Sequence, residues 1–269
     1  MKKQLQLGLI VEGNAISSAI LRLPGLAAEL GPIKSTGLQG SRRVSNFLRA
    51  GYAVTEYAEL QKAKLVLIRV PDAVLPRIID ELCASDLVFP ELSFVLCESW
   101  IMTDALRPLK ARGASVASLV AARGGKRNSF VVEGELTTVR QVRRVLERAG
   151  ARTVELRTGT KSLFFAADLF ATALPVPLLL AAQQALRDSG VTGNRLWELM
   201  DEMGREMLDS FLRGARATWG GPLVQCSPET AQAHLTSLAT DHPELAGILN
   251  EQLTWARRRL SRRARGQLV

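Results

Sequence analysis

Leu7–Gly8–Leu9–Ile10–Val11 runs directly into Glu12–Gly13–Asn14–Ala15. An apolar strand that ends at a glycine opens a nucleotide-binding βαβ unit, whose fingerprint is G-x-G-x-x-G. The three glycine positions read Val11, Gly13 and Ile16 here. The retained glycine is the one that lets a pyrophosphate approach the backbone. Gly13, Asn14 and Ala15 are therefore candidate cofactor contacts at the strand-to-helix turn. Glu12 is an unfavourable neighbour for a pyrophosphate.

Working outward, short apolar runs alternate with helical patterns. Strands are expected at Leu5–Val11, Ile33–Leu38, Leu65–Val70, Phe94–Cys97, Val116–Val120, Phe130–Glu133 and Val154–Leu156. Helices are expected at Ala15–Leu30, bent near Pro24–Gly25, and at Arg43–Ala50, Val74–Leu82, Asp104–Arg112 and Thr137–Ala149. This alternation predicts an α/β fold, a Rossmann-type mostly parallel sheet covered on both faces. After Thr158 no strand pattern follows. Lys161–Ser189 reads as one long apolar helix kinked at Pro175 and Pro177, and Arg195–Thr218 as an amphipathic helix. Ser227–Pro228 is an N-cap followed by proline at the first helical position, and Pro243–Arg259 is the last helix. The expected domains are thus a dinucleotide-binding domain over 1–157 and an all-α domain over 158–269.

Composition narrows the class. Three cysteines, Cys83, Cys97 and Cys226, are widely spaced, and His234 and His242 lie far from any cysteine pair. No metal site and no disulfide framework is expected, and a reducing, cytoplasmic location fits. Leu163–Ala182 has the length of a membrane span, but Asp168, Pro175 and Pro177 interrupt it, so a buried helix is expected instead. The net charge is +9, with Arg257, Arg258, Arg259, Arg262, Arg263 and Arg265 clustered near the C-terminus. No aromatic residues interleave them in a base-stacking pattern, so nucleic acid is not the expected partner.

Ser41, Arg42 and Arg43 follow the second strand, and no acid lies between Ile33 and Ala50. An acid there holds a ribose 2′-hydroxyl, whereas arginine accommodates a 2′-phosphate. If a dinucleotide binds, NADP is the expected form. Val70–Pro71–Asp72 ends the clearest strand and belongs at the ligand-binding sheet edge. Val70 and Pro71 join the cofactor candidates. The apolar surface of Leu163–Ala182 and of Arg195–Thr218 exceeds what a small helical domain buries, which predicts a homodimer through that domain.

Several segments carry a family resemblance: Leu65–Asp72, Lys161–Ala173, and Gly221–Pro222 with Glu229–Leu235, including His234–Leu235. On these the chain resembles Rossmann-like proteins of the domain-of-unknown-function 2520 family. Their helical domain is similar to that of 6-phosphogluconate and β-hydroxyacid dehydrogenases. The resemblance implies an NAD(P)-dependent oxidoreductase acting on a small molecule. It gives Lys161 the role of acid or base and leaves Ser99 from the family's His-x-Ser-Gly, which reads Cys97–Glu98–Ser99–Trp100 here. The family's His-Pro is replaced by Val120–Ala121, its Tyr-His by Phe164–Phe165, its Asn by Ala173, and its Arg-Gly-Asp by Gln225–Cys226–Ser227. With those polar groups gone, a degenerate site with weak or absent turnover is expected. The alternative is a non-catalytic nucleotide-binding or assembly protein.

Overall fold

The computed structural model describes residues 7–13, 18–122, 128–214 and 227–265. Eight strands form one sheet in the order β3-β2-β1-β4-β5-β6-β7-β8. They are β1 (Leu7–Val11), β2 (Leu30–Lys34), β3 (Tyr52–Val54), β4 (Leu65–Arg69), β5 (Ser93–Cys97), β6 (Ser115–Ala122), β7 (Ser129–Gly134) and β8 (Arg152–Glu155). Every pairing is parallel except β6 with β7. Four helices join the strands: α1 (Leu38–Leu48), α2 (Leu75–Ala84), α3 (Arg107–Ala111) and α4 (Leu136–Arg148).

Side chains alternate across the sheet. Leu9, Leu65, Leu67, Val95 and Leu119 enter one core with Val139, Val142 and Leu146 of α4. Ile10, Val66, Ile68, Phe94 and Leu96 enter the other with Ile78, Ile79 and Leu82 of α2 and Leu109 of α3. Burial on both faces is why these strands read as unbroken apolar runs.

The β1–β2 connection departs from expectation. Among its described residues there is no α-helix, only 3₁₀ turns at Ile20–Arg22 and Ala27–Glu29. The expected helix over 15–30 gives way because this connection lies tight under the end of α4. A Cβ on Gly25 would stand 2.9 Å from the Ala149 Cα. Ile20, Leu21, Leu23 and Leu26 still reach the core, but from successive tight turns. Pro24, lacking an N–H, suits that path. The chain therefore regains the sheet early, and β2 begins at Leu30 rather than Ile33.

Among the described residues the further helices are α5 (Lys161–Thr172), α6 (Pro175–Asp188), α7 (Asn194–Gly214), α8 (Pro228–Asp241) and α9 (Pro243–Arg265). The single long helix expected from Lys161 to Ser189 is two. Pro175 and Pro177 sit in the first turn of α6, where a missing N–H costs nothing. The chain forms two compact units, Met1–Asp168 and Leu169–Val269. Ser227 caps α8 as its sequence implies, its Oγ accepting from the Thr230 N–H at 3.2 Å.

The expectation that Leu163–Ala182 is buried does not hold. Leu163 is 65% exposed and Phe170 61%. The stretch Lys161–Asp188 has the length and apolarity of a membrane-crossing segment, and none of its most apolar window is covered within the chain. Among the described residues of the second unit, the buried hydrophobics are Leu196 and Leu253.

Candidate active site

Strand order reverses between β1 and β4, so the crevice at their C-terminal ends is the ligand position for this topology. Gly13 turns there with φ +65°, a left-handed conformation open to glycine. A Cβ on it would meet the Pro71 ring at 3.1 Å. The structure thus joins Gly13, Val70 and Pro71 at the switch point, with Val70 buried beneath and Pro71 exposed. Asn14 and Ala15 lie outside the described residues.

Ser41 is placed differently from its expected role. It is fully buried, and its Oγ accepts from the Ser35 N–H at 2.9 Å. It braces the turn after β2 from inside, with no face toward a ligand. Arg42 and Arg43 are exposed on the second turn of α1.

Lys161 opens α5 and is 2% exposed. Its Nζ donates to the Ser99 carbonyl at 2.9 Å and the Ile101 carbonyl at 2.5 Å. Burial pushes its pKa down to about 8, while the charges of Glu133 and Asp72 pull the other way. Ser99 Oγ donates to Asp72 Oδ1 at 2.8 Å and accepts from the Ile101 N–H at 3.0 Å. Lys161 and Ser99, both candidates from the sequence, meet through the Ser99 backbone carbonyl. Phe164 and Phe165 explain the intervening residue. Trp100 stacks on Phe164 at 5.9 Å between ring centres and meets Phe165 edge-on at 5.2 Å. The loop after β5 is thus pinned to α5 by a lysine on its carbonyls and by an aromatic cluster.

Three acids stand out: Glu98 and Glu133, to which sequence reasoning gave no role, and Glu12, which it read only as an unfavourable neighbour of a pyrophosphate. Glu98 has φ +54° at the end of β5. Its Oε1 accepts from Ser18 Oγ and the Ile20 N–H, both at 2.8 Å, and its Oε2 lies 3.8 Å from Arg69 Nε. The carboxylate thus occupies an amide of the Ile20–Arg22 turn. Glu133, 3% exposed on β7, accepts from Thr103 Oγ1 and from the Gly159 N–H just before α5. A glutamate closing the apolar run Phe130–Val131–Val132 was its only sequence signal. Glu12 accepts from Thr36 and Arg77.

Chemically, the crevice offers a glycine turn bare enough for a phosphate and carboxylates able to accept ribose hydroxyls. The protonated Lys161 has three N–H groups, and two are committed to carbonyls.

No curated protein sequence matches the chain. Its fold is shared with solved structures at low identity. Protein TM1727 from Thermotoga maritima is 15% identical, with TM-score 0.68 over 96% of this chain and 99% of that one. An imine reductase from Aspergillus terreus, in complex with NADPH4 and a dibenzazepine, is 14% identical, with TM-score 0.66 over 98% and 95%. An imine reductase variant from Myxococcus stipitatus, in complex with NAD+, is 16% identical, with TM-score 0.65 over 95% and 94%. Residues 128–252, from β7 into α9, match the family model described as Domain of unknown function (DUF2520).

Proposed function

We propose that this protein binds a nicotinamide dinucleotide in the crevice beside Gly13 and Pro71, as an oxidoreductase-type protein whose proton-transfer site has degenerated. NADP is the form that Arg42 and Arg43 favour. Similarity of fold to imine reductases in complex with NAD+ and NADPH4 supports a nicotinamide cofactor. When bound, that cofactor would supply hydride chemistry. Gly13 would let its phosphates approach the backbone, and Arg42 and Arg43 would face the adenosine end.

The observation that carries the degenerate part is the state of Lys161. A proton donor must reach the reacting atom. This ammonium is covered, and two carbonyls of its own chain hold it. Ser99 has its hydroxyl proton on Asp72, and no histidine lies near it in sequence to act as its base. Titrating the purified protein with NADPH and NADH, then screening imines and 2- and 3-hydroxy acids, tests both halves. Cofactor binding with turnover far below about 1 per second is the expected result. Turnover in the ordinary enzyme range, abolished by Lys161→Met, would restore a catalytic role for that lysine.

A second reading, a non-catalytic assembly protein, is favoured by the apolar helices α5 to α7. Their exposed Leu180, Phe211 and Leu212 suit a second copy of the chain. The two readings are compatible, and a cytoplasmic location fits both.

A further inference from the structure

Ile10 pairs with Lys34 across β1 and β2, so the next residues of each strand leave the sheet side by side. Glu12 and Thr36 meet there, Thr36 Oγ1 donating to Glu12 Oε1 at 2.5 Å. Arg77 approaches from α2, and its Nη2 donates to both Glu12 oxygens at 2.9 and 2.8 Å. Its Nη1 donates to Glu81 Oε1 at 2.7 Å, and Tyr57 donates its hydroxyl to Glu81 Oε2 at 2.7 Å. Lys34 Nζ lies 4.7 Å from the centre of the Tyr57 ring. Two carboxylates and two cations thus alternate along this edge, and their charges cancel. The Glu12 side chain is 10% exposed, fixed from both sides.

In a doubly wound sheet the carboxylate that accepts the adenosine ribose hydroxyls ordinarily comes from the end of β2. Ser35 and Thr36 stand there instead. We propose that Glu12, arriving from β1 and held on Thr36, takes over that acid's role and discriminates against a 2′-phosphate. Arg77 is then the counter-ion of Glu12, not a phosphate ligand. A phosphate dianion needs surplus positive charge and free guanidinium donors, and here both ends of the Arg77 fork are occupied by carboxylates. Glu12 therefore opposes Arg42 and Arg43, and cofactor choice is the balance of the two. This assignment rests on the proposed dinucleotide crevice.

The test uses the full chain and the half-cofactors 2′,5′-ADP and 5′-AMP, titrated by calorimetry beside NADPH and NADH. Glu12→Gln keeps the shape and removes the charge. It should raise the ratio of affinities for 2′,5′-ADP over 5′-AMP at least about tenfold, because the 2′-phosphate loses a close repelling charge that 5′-AMP never meets. Arg77→Gln leaves Glu12 without its counter-ion and should lower the same ratio. The opposite signs separate a role in discrimination from a merely structural one, and if Glu12→Gln does not fold, the Arg77→Gln arm decides. An unchanged ratio in the folded variants, or no binding of either nucleotide to any of the proteins, overturns the assignment. If NADH and NADPH fail to bind the unaltered protein while the half-cofactor ratio shifts as stated, the dinucleotide function falls and the role of Glu12 stands.

Discussion

Lys161 carries a proton that its surroundings disfavour. An ammonium loses solvation on burial, and two carbonyls return only part of it. The consequence is a stability change with a definite sign. The pKa is about 8 in the folded chain and about 10.4 in an unfolded one. Below pH 8 both states are protonated, and the penalty of the buried charge is fully present. Between these values the unfolded chain holds more proton, so stability rises with pH, by up to about 3 kcal/mol. Urea unfolding at pH 7, 8.5 and 10 should show the unaltered protein gaining on Lys161→Met across that window. A constant difference would mean that the lysine titrates normally. At the same scale, changing Arg42 and Arg43 together to alanine should lower the affinity for NADPH relative to NADH by about tenfold, if each contributes an exposed charge contact of about 0.5–1 kcal/mol. Equal loss for both cofactors would move those arginines out of the adenosine site.

At the scale of elements, the antiparallel β6–β7 pair sets where α5 starts. Gly134 ends β7 opposite Ala117, with φ +152°. A Cβ there would stand 2.4 Å from the Ala117 Cα. Neighbouring Glu133 holds Gly159, and Thr158 Oγ1 donates to the Gly134 carbonyl at 3.1 Å, so both tie the chain just before Lys161. Gly134→Ala should therefore destabilise by at least about 1–3 kcal/mol, the range for overpacking a well-fitted site. Thermal unfolding measures it, and an unchanged midpoint would show that the two strands can separate at no cost. Gly25 beneath α4 makes a similar close approach, in a connection whose described residues hold 3₁₀ turns and no α-helix.

For the whole molecule, hydrophobic surface is unevenly spent. The sheet unit buries its apolar residues in two cores, while the helical unit leaves Phe170, Leu180, Phe211 and Leu212 more than half exposed. Apolar surface of that extent favours association, at about 25 cal/mol for each Å² removed from water. We expect a homodimer through the helical unit. Light scattering of the unaltered protein should give twice the chain mass at micromolar concentration. Phe170→Ser, Leu180→Ser, Phe211→Ser and Leu212→Ser combined should give a monomer. A monomeric unaltered protein contradicts the proposal, and sedimentation with phospholipid vesicles would assign the same face to a membrane surface.

The strands β1, β4 and β5 were legible because parallel strands buried on both faces must be apolar throughout, and no other element of that length is. The same holds for the Ser227 cap, a purely local hydrogen bond. Fold class and the position of the crevice followed from the alternation of strand and helix. The edge strand β3 escaped because its three residues include exposed Tyr52 and carry no burial pattern. The 3₁₀ turns over the described residues of the β1–β2 connection escaped because the contact of Gly25 with Ala149 joins residues more than a hundred positions apart. The site divides in the same way. Gly13, Pro71, Lys161 and Ser99 could be named from the residues and their likeness to a family. That Lys161 holds carbonyls, that Glu98 fills a backbone amide, and that Glu12 meets Thr36 and Arg77 depended on strand neighbours chosen by the sheet. Local chemistry is written in consecutive residues, but the partner of a charge is decided by whichever element the fold places beside it.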